Sequence, residues 1–376
     1  MTASSTGADR SAGRLRLARL GRGMSQEQLA RASGVSRQAI AGVESGRWSP
    51  SLKVAMAIAR ALESNVEEIF GTPLRDSILS AELALPAPPG GRVLLAEVGT
   101  TTVAYPLGGD GAMSCGFRSA SAVITDHQPR SGPVLARTLG RVRPTLLLAG
   151  CDPAIPLLAQ QLGHFDPPVR LAWLPCGSQR ALELLHQGMV HAAGIHIYDN
   201  RLGSYNSLAA RAALTEVGAR LVGFAVWRQG LLLAPKLARL VRDLADVADL
   251  GARLVNREPG SEARSLLERE MGRLKLSPDQ LDGFNSNLSG HLLVASAIAA
   301  GIAGAGVASE PAALTYGLPF LPLSEDRYDI VIPEALVGTI EVQALVRALG
   351  SRELKNQLDA IPGYGTSVLG EVADSF

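Results

Sequence analysis

From Pro144 onward, short leucine-rich or β-branched runs alternate with amphipathic helical stretches. That alternation constrains the chain to an open, largely parallel sheet flanked by helices. The runs that read as strands are Thr145 to Ala149, Val169 to Leu174, Ala192 to Ile197, Leu221 to Val226, Leu231 to Ala234, Arg253 to Asn256, Ala305 to Ala308 and Asp329 to Ile332. Helices are predicted to begin near Pro153, Ser178, Leu208, Pro235, Ser261, Ser277, Gly290 and Ile340. No repeat of solenoid period interrupts the pattern.

A chain of 376 residues is too long for one ordinary core, so two or more domains are expected. Its formal net charge of +1 hides an asymmetry. Met1 to Gly71 carries ten Arg or Lys against six Asp or Glu, and the remainder is slightly acidic. The basic excess therefore lies at the front, where a polyanion would be met. Cys115, Cys151 and Cys176 are odd in number and form no CxxC pair, which argues against a disulfide framework and against a zinc site. The first residues are Ser, Gly and Arg rich with no apolar signal core, and the longest uncharged run, Leu292 to Ser309, is too short and too small-residue-rich for a membrane span. The expectation is a cytoplasmic protein with no membrane partner. That last run reads as a buried helix leading into a buried strand.

Ahead of the alternating region three further segments can be told apart. Residues 11–71 hold short helical patterns separated by tight turns, with Leu15, Leu29, Ile40, Val43, Ile58 and Leu62 as the expected core of an all-α domain. Residues 72–91, Pro-rich near Pro86, Pro88 and Pro89, read as a linker. Residues 92–143 read as a small β segment, with strands over Val93 to Val98 and Thr100 to Tyr105. Residues 144–376 form the α/β region.

Within the helical domain, Gln26 to Ser45 meets a demanding set of constraints. Ala30 is small where two helices must cross, Gly34 supplies the positive φ of a tight turn, and Val35, Ile40 and Val43 hold the second helix to the first. Ser25 and Ser36 are placed to cap the helices that follow. With Ile40 and Val43 turned inward, the opposite face of the second helix presents Ser36, Arg37, Gln38, Ala41 and Ser45. Arg can pair with guanine and Gln with adenine in the major groove. Gln26, at a helix start, and Arg47 are candidates for phosphate contacts. The alternative is a small bundle with a merely solvated polar face. Over residues 14–70 the segment SQEQLARASGVSRQAIAGVESGRWSPSLKVAMAIARAL followed by VEEIF resembles the phage-repressor-like (XRE) helix-turn-helix family. The resemblance implies a five-helix domain binding a pseudo-palindromic operator as a homodimer. Ser45 stands where the family usually has an acidic residue or Asn.

In the α/β region several strand ends run straight into helix starts: Gly150-Cys151-Asp152-Pro153, Cys176-Gly177-Ser178, Pro259-Gly260-Ser261 and, after an Asn-rich loop, Ser289-Gly290-His291. Helix N-termini at the carboxyl ends of strands converge on a crevice, and their free N–H groups favour an anion. Ser178, Ser261 and Ser289 add hydroxyls at the same level. Each element has a duller reading. Asp152 before Pro153, Ser178 and Ser261 can be caps, while His291 and Arg264 can face solvent. Cys151 and Cys176 read as buried spacers, because no histidine near them in sequence supports a nucleophile. His191 and His196, five apart on a strand, should face opposite sides of the sheet.

The stretches RPTLLLAGCDPAIPLLAQQL, GSQRALELLHQGMVHAAGIHIYD, VNREPGSEARSLLERE, SGHLLVASAIAAGIAGAGVA, YGLPFLPLSEDRYDIVIP and IPGYGTSVLGE resemble periplasmic-binding-protein-like domains related to molybdate-binding proteins. That resemblance implies a two-lobed, hinged (type II) fold. Residues 145–226 and 310–370 would form one lobe and 229–305 the other. It implies ligand contacts from Cys151, Asp152, Gly177 and Ser178 in the first lobe and from Gly260, Ser261, Arg264, Ser289 and His291 in the second. The family's Gly-Ser-Gly-Thr-Arg loop is here Gly260-Ser261-Glu262-Ala263-Arg264, so a hydroxyl is lost and a carboxylate gained. Glu262 in the cleft would repel an oxyanion, and pointing outward it would be neutral to binding.

These readings point to a DNA-binding regulator that senses a small anion, with molybdate or tungstate as the leading effector and no further cofactor. A molybdenum-cofactor-related or other organic effector is the alternative ligand class. A constitutive DNA-binding protein with a dimerising C-terminal domain is the alternative mode. An enzyme is not expected, since no metal-ligand spacing, Walker loop or nucleophile with a nearby base is visible.

Overall fold

The computed structural model describes residues 15–70, 77–109, 117–126, 133–140, 142–199, 202–215 and 217–376. Cys115 lies outside them. The chain divides into two compact units, Met1–Ser77 and Ile78–Phe376.

The first unit is helical: α1 (residues 15–21), α2 (Gln26–Ser33), α3 (Arg37–Glu44), α4 (Leu52–Ala61) and α5 (Val66–Phe70). Ser25 and Gln28 form a reciprocal capping box at the start of α2, and Gly34 ends it with φ 66°. Ser36 caps α3 through the Ala39 N–H. Leu15, Leu29, Ile40, Val43, Ile58 and Leu62 share one core, as the apolar spacing requires. A buried ion pair ties three helices together: Arg19 Nε lies 2.6 Å from Glu44 Oε1, and Gln26 Nε2 donates to Glu44 Oε2 at 2.8 Å.

The second unit opens with a closed barrel of five strands, β1 (Ile78–Leu83), β2 (Arg92–Val98), β3 (Thr101–Pro106), β4 (Ala122–Asp126) and β5 (Val134–Thr138), in the order β1-β3-β2-β4-β5. Strand β1 falls inside the stretch that reads as a linker. The prolines after it make a turn within the barrel, where the Gly90 N–H bonds the Ile124 carbonyl at 2.9 Å. Val93, Leu95 and Ala104 fill the barrel, while Leu94, Ala96, Val103 and Tyr105 on the other face join the core of the α/β region. The barrel is anchored there by Tyr105 Oη to the Trp173 carbonyl (2.7 Å) and by His191 Nε2 to the Glu97 carbonyl (2.8 Å).

The α/β region is built on a nine-stranded sheet. Parallel strands β6 (Thr145–Ala149), β7 (Arg170–Leu174) and β8 (Ala192–Ile195) lie at one end, and β10 (Leu254–Arg257) and β11 (Ala305–Ser309) at the other. Between them run two long antiparallel strands, β9 (Ala219–Leu233) and β12 (Phe320–Pro333). The two separate strands expected over 221–234 are therefore one. The polar break at Arg228, Gln229 and Gly230 is where β9 passes from one lobe to the other, with a register shift between Gln229 and Gly230. Likewise β12 begins well before Asp329, because the polar run Ser324 to Arg327 is strand at the hinge rather than loop. Separate apolar cores define the lobes. Ala312, Ala313 and Leu318 belong to the second core, so the return crossing follows Leu323 and does not precede residue 310. The starts near Pro153, Pro235 and Ser277 are 3-10 turns at Ile155–Leu157, Pro235–Leu237 and Pro278–Gln280. Three helices, Leu244–Asp249, Glu310–Thr315 and Arg352–Asp359, have no counterpart among the expected starts.

Candidate functional site

On the helical unit, Ser36, Arg37, Gln38 and Ser45 are exposed along α3 and just past it, Ala41 is half-buried between them, and Arg47 is exposed beyond. Arg37 makes only a loose pair with Glu27, at 3.9 Å, both being more than half exposed. Its guanidinium is thus available at low cost. Gln26, half-buried at the start of α2, donates its amide nitrogen to the buried Glu44 carboxylate.

In the second unit three of the expected helix starts meet across the lobes. Gly177, which caps α6 (Ser178–His186), approaches Gly260 so closely that a Cβ on it would lie 3.2 Å from the Gly260 carbonyl and 3.3 Å from the Ser261 Cα. Any larger residue there would crowd the contact between lobes, whereas its φ of −65° is open to any residue. Beside this contact lies a cavity of about 290 Å³ lined by Cys151, Pro153, Trp173 and Pro175 from the first lobe and by Ser289 to Leu293, Ser296 and Tyr316 from the second. A second cleft between the lobes includes Gly177, Gly260 and Ser289.

The expected ligand residues divide into two groups. Cys151, Ser289 and His291 line the first cavity. His291 is the first residue of α8 (His291–Ala299), fully buried, and its Nδ1 accepts the Ser309 N–H at 3.2 Å. Burial, reinforced by Arg257 and His196, pushes its pKa well below the usual value, so the ring is neutral. With Nδ1 accepting, the proton sits on Nε2, a donor with no partner in the protein. The other residues turn their polar atoms to structure. Ser178 Oγ accepts the His196 N–H at 3.1 Å. Ser261 Oγ donates to the Glu258 carbonyl at 2.9 Å and caps α7 (Glu262–Leu274). Arg264 binds Glu268 and Asn287 and lies over the Phe284 ring, within its own lobe. Asp152 Oδ1 accepts the Ala154 N–H at 2.7 Å and the Tyr364 hydroxyl at 2.6 Å, while its Oδ2 is buried without a partner. Burial pushes the Asp152 pKa up to about 6 against those bonds. Glu262 is buried against Arg269 at 2.6 Å, so its charge is paired.

Five residues that motif reading did not single out complete the site. Arg257, at the end of β10, is buried; two of its nitrogens grip Glu258 at 2.7 and 2.8 Å, and its Nη1 has no hydrogen-bond partner. Trp227, Gln229, Asp326 and Tyr328 project from the hinge strands β9 and β12. Their signal was the polar and aromatic break in two otherwise apolar strands.

Cys151 is buried, as expected of a spacer, but a histidine remote in sequence lies beside it. Its Sγ lies 3.2 Å from His196 Nε2, and His196 Nδ1 bonds Asp326 Oδ2 at 2.9 Å. Burial alone would lower the His196 pKa, but the Cys151 sulfur and Asp326 override it and lift it to about 10. Forty-five positions separate this histidine from the cysteine. His191, by contrast, turns to the barrel side and is held down to about 4 by burial, which places the two histidines on opposite faces as strand geometry requires. Cys151, His196 and His291 offer ligand-type atoms within 4.8 Å of one another. A metal ion would need a lone pair on His291 Nε2, where the bond from Ser309 places a proton, so this donor set suits an anion better than a cation.

A family model for the PBP superfamily domain matches residues 159–350, half of the chain. The chain belongs to the periplasmic-binding-protein (PBP) superfamily. A helix-turn-helix model matches residues 15–69, on the unit that carries α1 to α5. YvgK of Bacillus subtilis is 28% identical over 232 residues, 61% of this chain and 74% of that protein. An HTH-type transcriptional regulator of Methanothermobacter thermautotrophicus is 53% identical over 49 residues, 13% of this chain and 71% of that one. Among solved structures, the effector binding domain of QuiR in complex with shikimate is 11% identical, covers 54% of this chain and 94% of its own, and gives a TM-score of 0.40. In this PBP-superfamily chain the cavity between the lobes is walled by residues of both lobes. No helix among the described residues is long and apolar enough to cross a membrane.

Proposed function

We propose that the chain is a ligand-responsive transcription regulator, in which the helix-turn-helix unit binds a DNA operator and the interlobe cleft takes a small anion. One observation carries the ligand class: His291 Nε2 and Arg257 Nη1 are buried N–H donors without protein partners, and His291 lines the interlobe cavity. Unpaired buried donors cost about 1–3 kcal/mol each, a cost that an anion bonded to them removes. Contacts from both lobes favour the closed hinge by differential affinity. In a homodimer, that movement resets the spacing of two recognition helices against half-sites about 34 Å apart. Arg37 and Gln38 read bases, and Ser36, Ser45 and Arg47 support them at the backbone. Molybdate or tungstate is the leading effector.

The cavity walls favour a second ligand reading. Pro153, Trp173, Pro175, Leu292 and Leu293 are apolar, and a volume of about 290 Å³ approaches the roughly 300–1,000 Å³ of small-molecule pockets. Both features suit an organic anion with an apolar body. Thermal shift and operator affinity of the full chain, measured with molybdate, tungstate, sulfate and phosphate, separate the readings. Stabilisation by molybdate or tungstate but not sulfate supports the leading one, and operator affinity must then change as well, because coupling is reciprocal. Indifference to all four anions, with stabilisation by a small organic carboxylate, supports the second.

A further inference from the structure

We propose that Cys151 is a nucleophilic site: with His196 as its proton partner and Asp326 orienting that imidazole, its sulfur captures small α,β-unsaturated carbonyl compounds entering the interlobe cavity as thioethers. The reading goes beyond reversible anion binding, which needs no sulfur.

Three observations carry it. The first is the alignment: Sγ of Cys151 faces His196 Nε2 at 3.2 Å, and the far nitrogen of the ring is fixed by Asp326 at 2.9 Å. A nucleophile, a base in hydrogen-bond reach and a third group orienting the base form the arrangement that activates a thiol. The second is access, since Cys151 lines the cavity although only 4% of its surface is exposed. The third is the pair of unpartnered donors, His291 Nε2 and Arg257 Nη1. The titratable groups around the sulfur are His196, His291, Arg257, Tyr328, Tyr364 and Cys176.

The chemistry closes without a further reagent. The sulfur's electron pair forms a bond to the β-carbon, the C=C π pair moves onto the carbonyl oxygen, and the resulting enolate is met by the Arg257 and His291 donors. Protonated His196 then returns the proton it took from the thiol to the α-carbon. Thiol and alkene become one thioether, and nothing is oxidised or reduced.

Accessibility alone predicts the reverse order of labelling, because Cys176 is the more exposed of the two described cysteines. The test treats the purified full chain with substoichiometric N-ethylmaleimide and maps the adduct by peptide mass spectrometry, with the guanidinium-denatured chain as the reference. The expected result is that native Cys151 is labelled at least tenfold faster than Cys176, and that the two react alike once denatured. His196→Gln should slow Cys151 at least tenfold and leave Cys176 unchanged. Native labelling of Cys176 as fast as Cys151 overturns the proposal, and this comparison needs no variant. So does a Cys151 rate unchanged in a cooperatively melting His196→Gln protein.

Discussion

Asp326 Oδ2 accepts a hydrogen bond from His196 Nδ1 at 2.9 Å, joining residues 130 positions apart in the chain. Asp326 sits on the hinge strand β12, and His196 follows β8 in the first lobe. The carboxylate is buried, its pKa lowered because the bond and charge of His196 outweigh desolvation. The pair thus ties a hinge strand to the end of a first-lobe strand.

Replacing Asp326 by Asn should remove one of the two supports of the charged imidazole, the other being the Cys151 sulfur. The His196 pKa is raised from 6.5 to about 10, so its stabilisation is complete below pH 6.5 and is lost as pH rises toward 10. The wild-type melting temperature should fall across that window, and the variant should show a flatter profile. Breaking a buried pair costs about 3–5 kcal/mol, so the variant should also melt lower at neutral pH. A pH series of calorimetric scans checks both.

Asp152 acts with the same sign in a lower window. A carboxyl raised from 3.8 to about 6 contributes stability fully below pH 3.8 and loses it as pH climbs to 6. Asp152→Asn keeps the oxygen that accepts from Ala154 and Tyr364 and cannot ionise. The variant should gain melting temperature relative to wild type as pH rises from 4 to 7. An unchanged difference across that range would show that the carboxyl is ionised without penalty.

Gly194 and Gly150 are demanded by Tyr328. A Cβ on Gly194 would lie 2.2 Å from the Tyr328 hydroxyl oxygen, and Tyr328 is fully buried and cannot swing away. Gly194→Ala should destabilise by about 1–3 kcal/mol or more through overpacking. Gly163→Ala, with nothing within 4 Å of the added carbon, serves as the neutral control. Denaturant midpoints of the two variants make the comparison.

On the helical unit, the double variant Arg37→Ala with Gln38→Ala should abolish specific operator binding and leave the melting temperature within about 1 °C. Both side chains are exposed and neither is part of the Arg19–Glu44–Gln26 lock. Competitive binding against scrambled duplex is the measurement. Retained selectivity would show that another surface reads the bases.

Much of the architecture was legible because it rests on local rules. Ala30, Gly34, Val35, Ile40 and Val43 are constrained by the turn they make, and the strand and helix periods after Pro144 follow from side-chain direction along each element. The barrel strand Ile78–Leu83 was not legible, because Pro86, Pro88 and Pro89 after it look the same in a linker and in a turn closed by the Gly90 to Ile124 bond. Continuous β9 and β12 were hidden for a related reason: polar residues at the hinge break an apolar alternation without breaking the strand.

Sequence alone determined a helix-turn-helix unit, a two-lobed α/β unit, and helix starts bearing Cys151, Gly177, Gly260 and His291 at strand ends. Tertiary structure decided which of those polar groups remain available. Ser178, Ser261 and Arg264 are spent on partners inside the protein, while Cys151 gains His196 and Asp326 from distant strands. The physical reason is that a hydrogen bond is a property of two groups at about 3 Å, and spacing along the chain carries no information about distances set by packing in three dimensions.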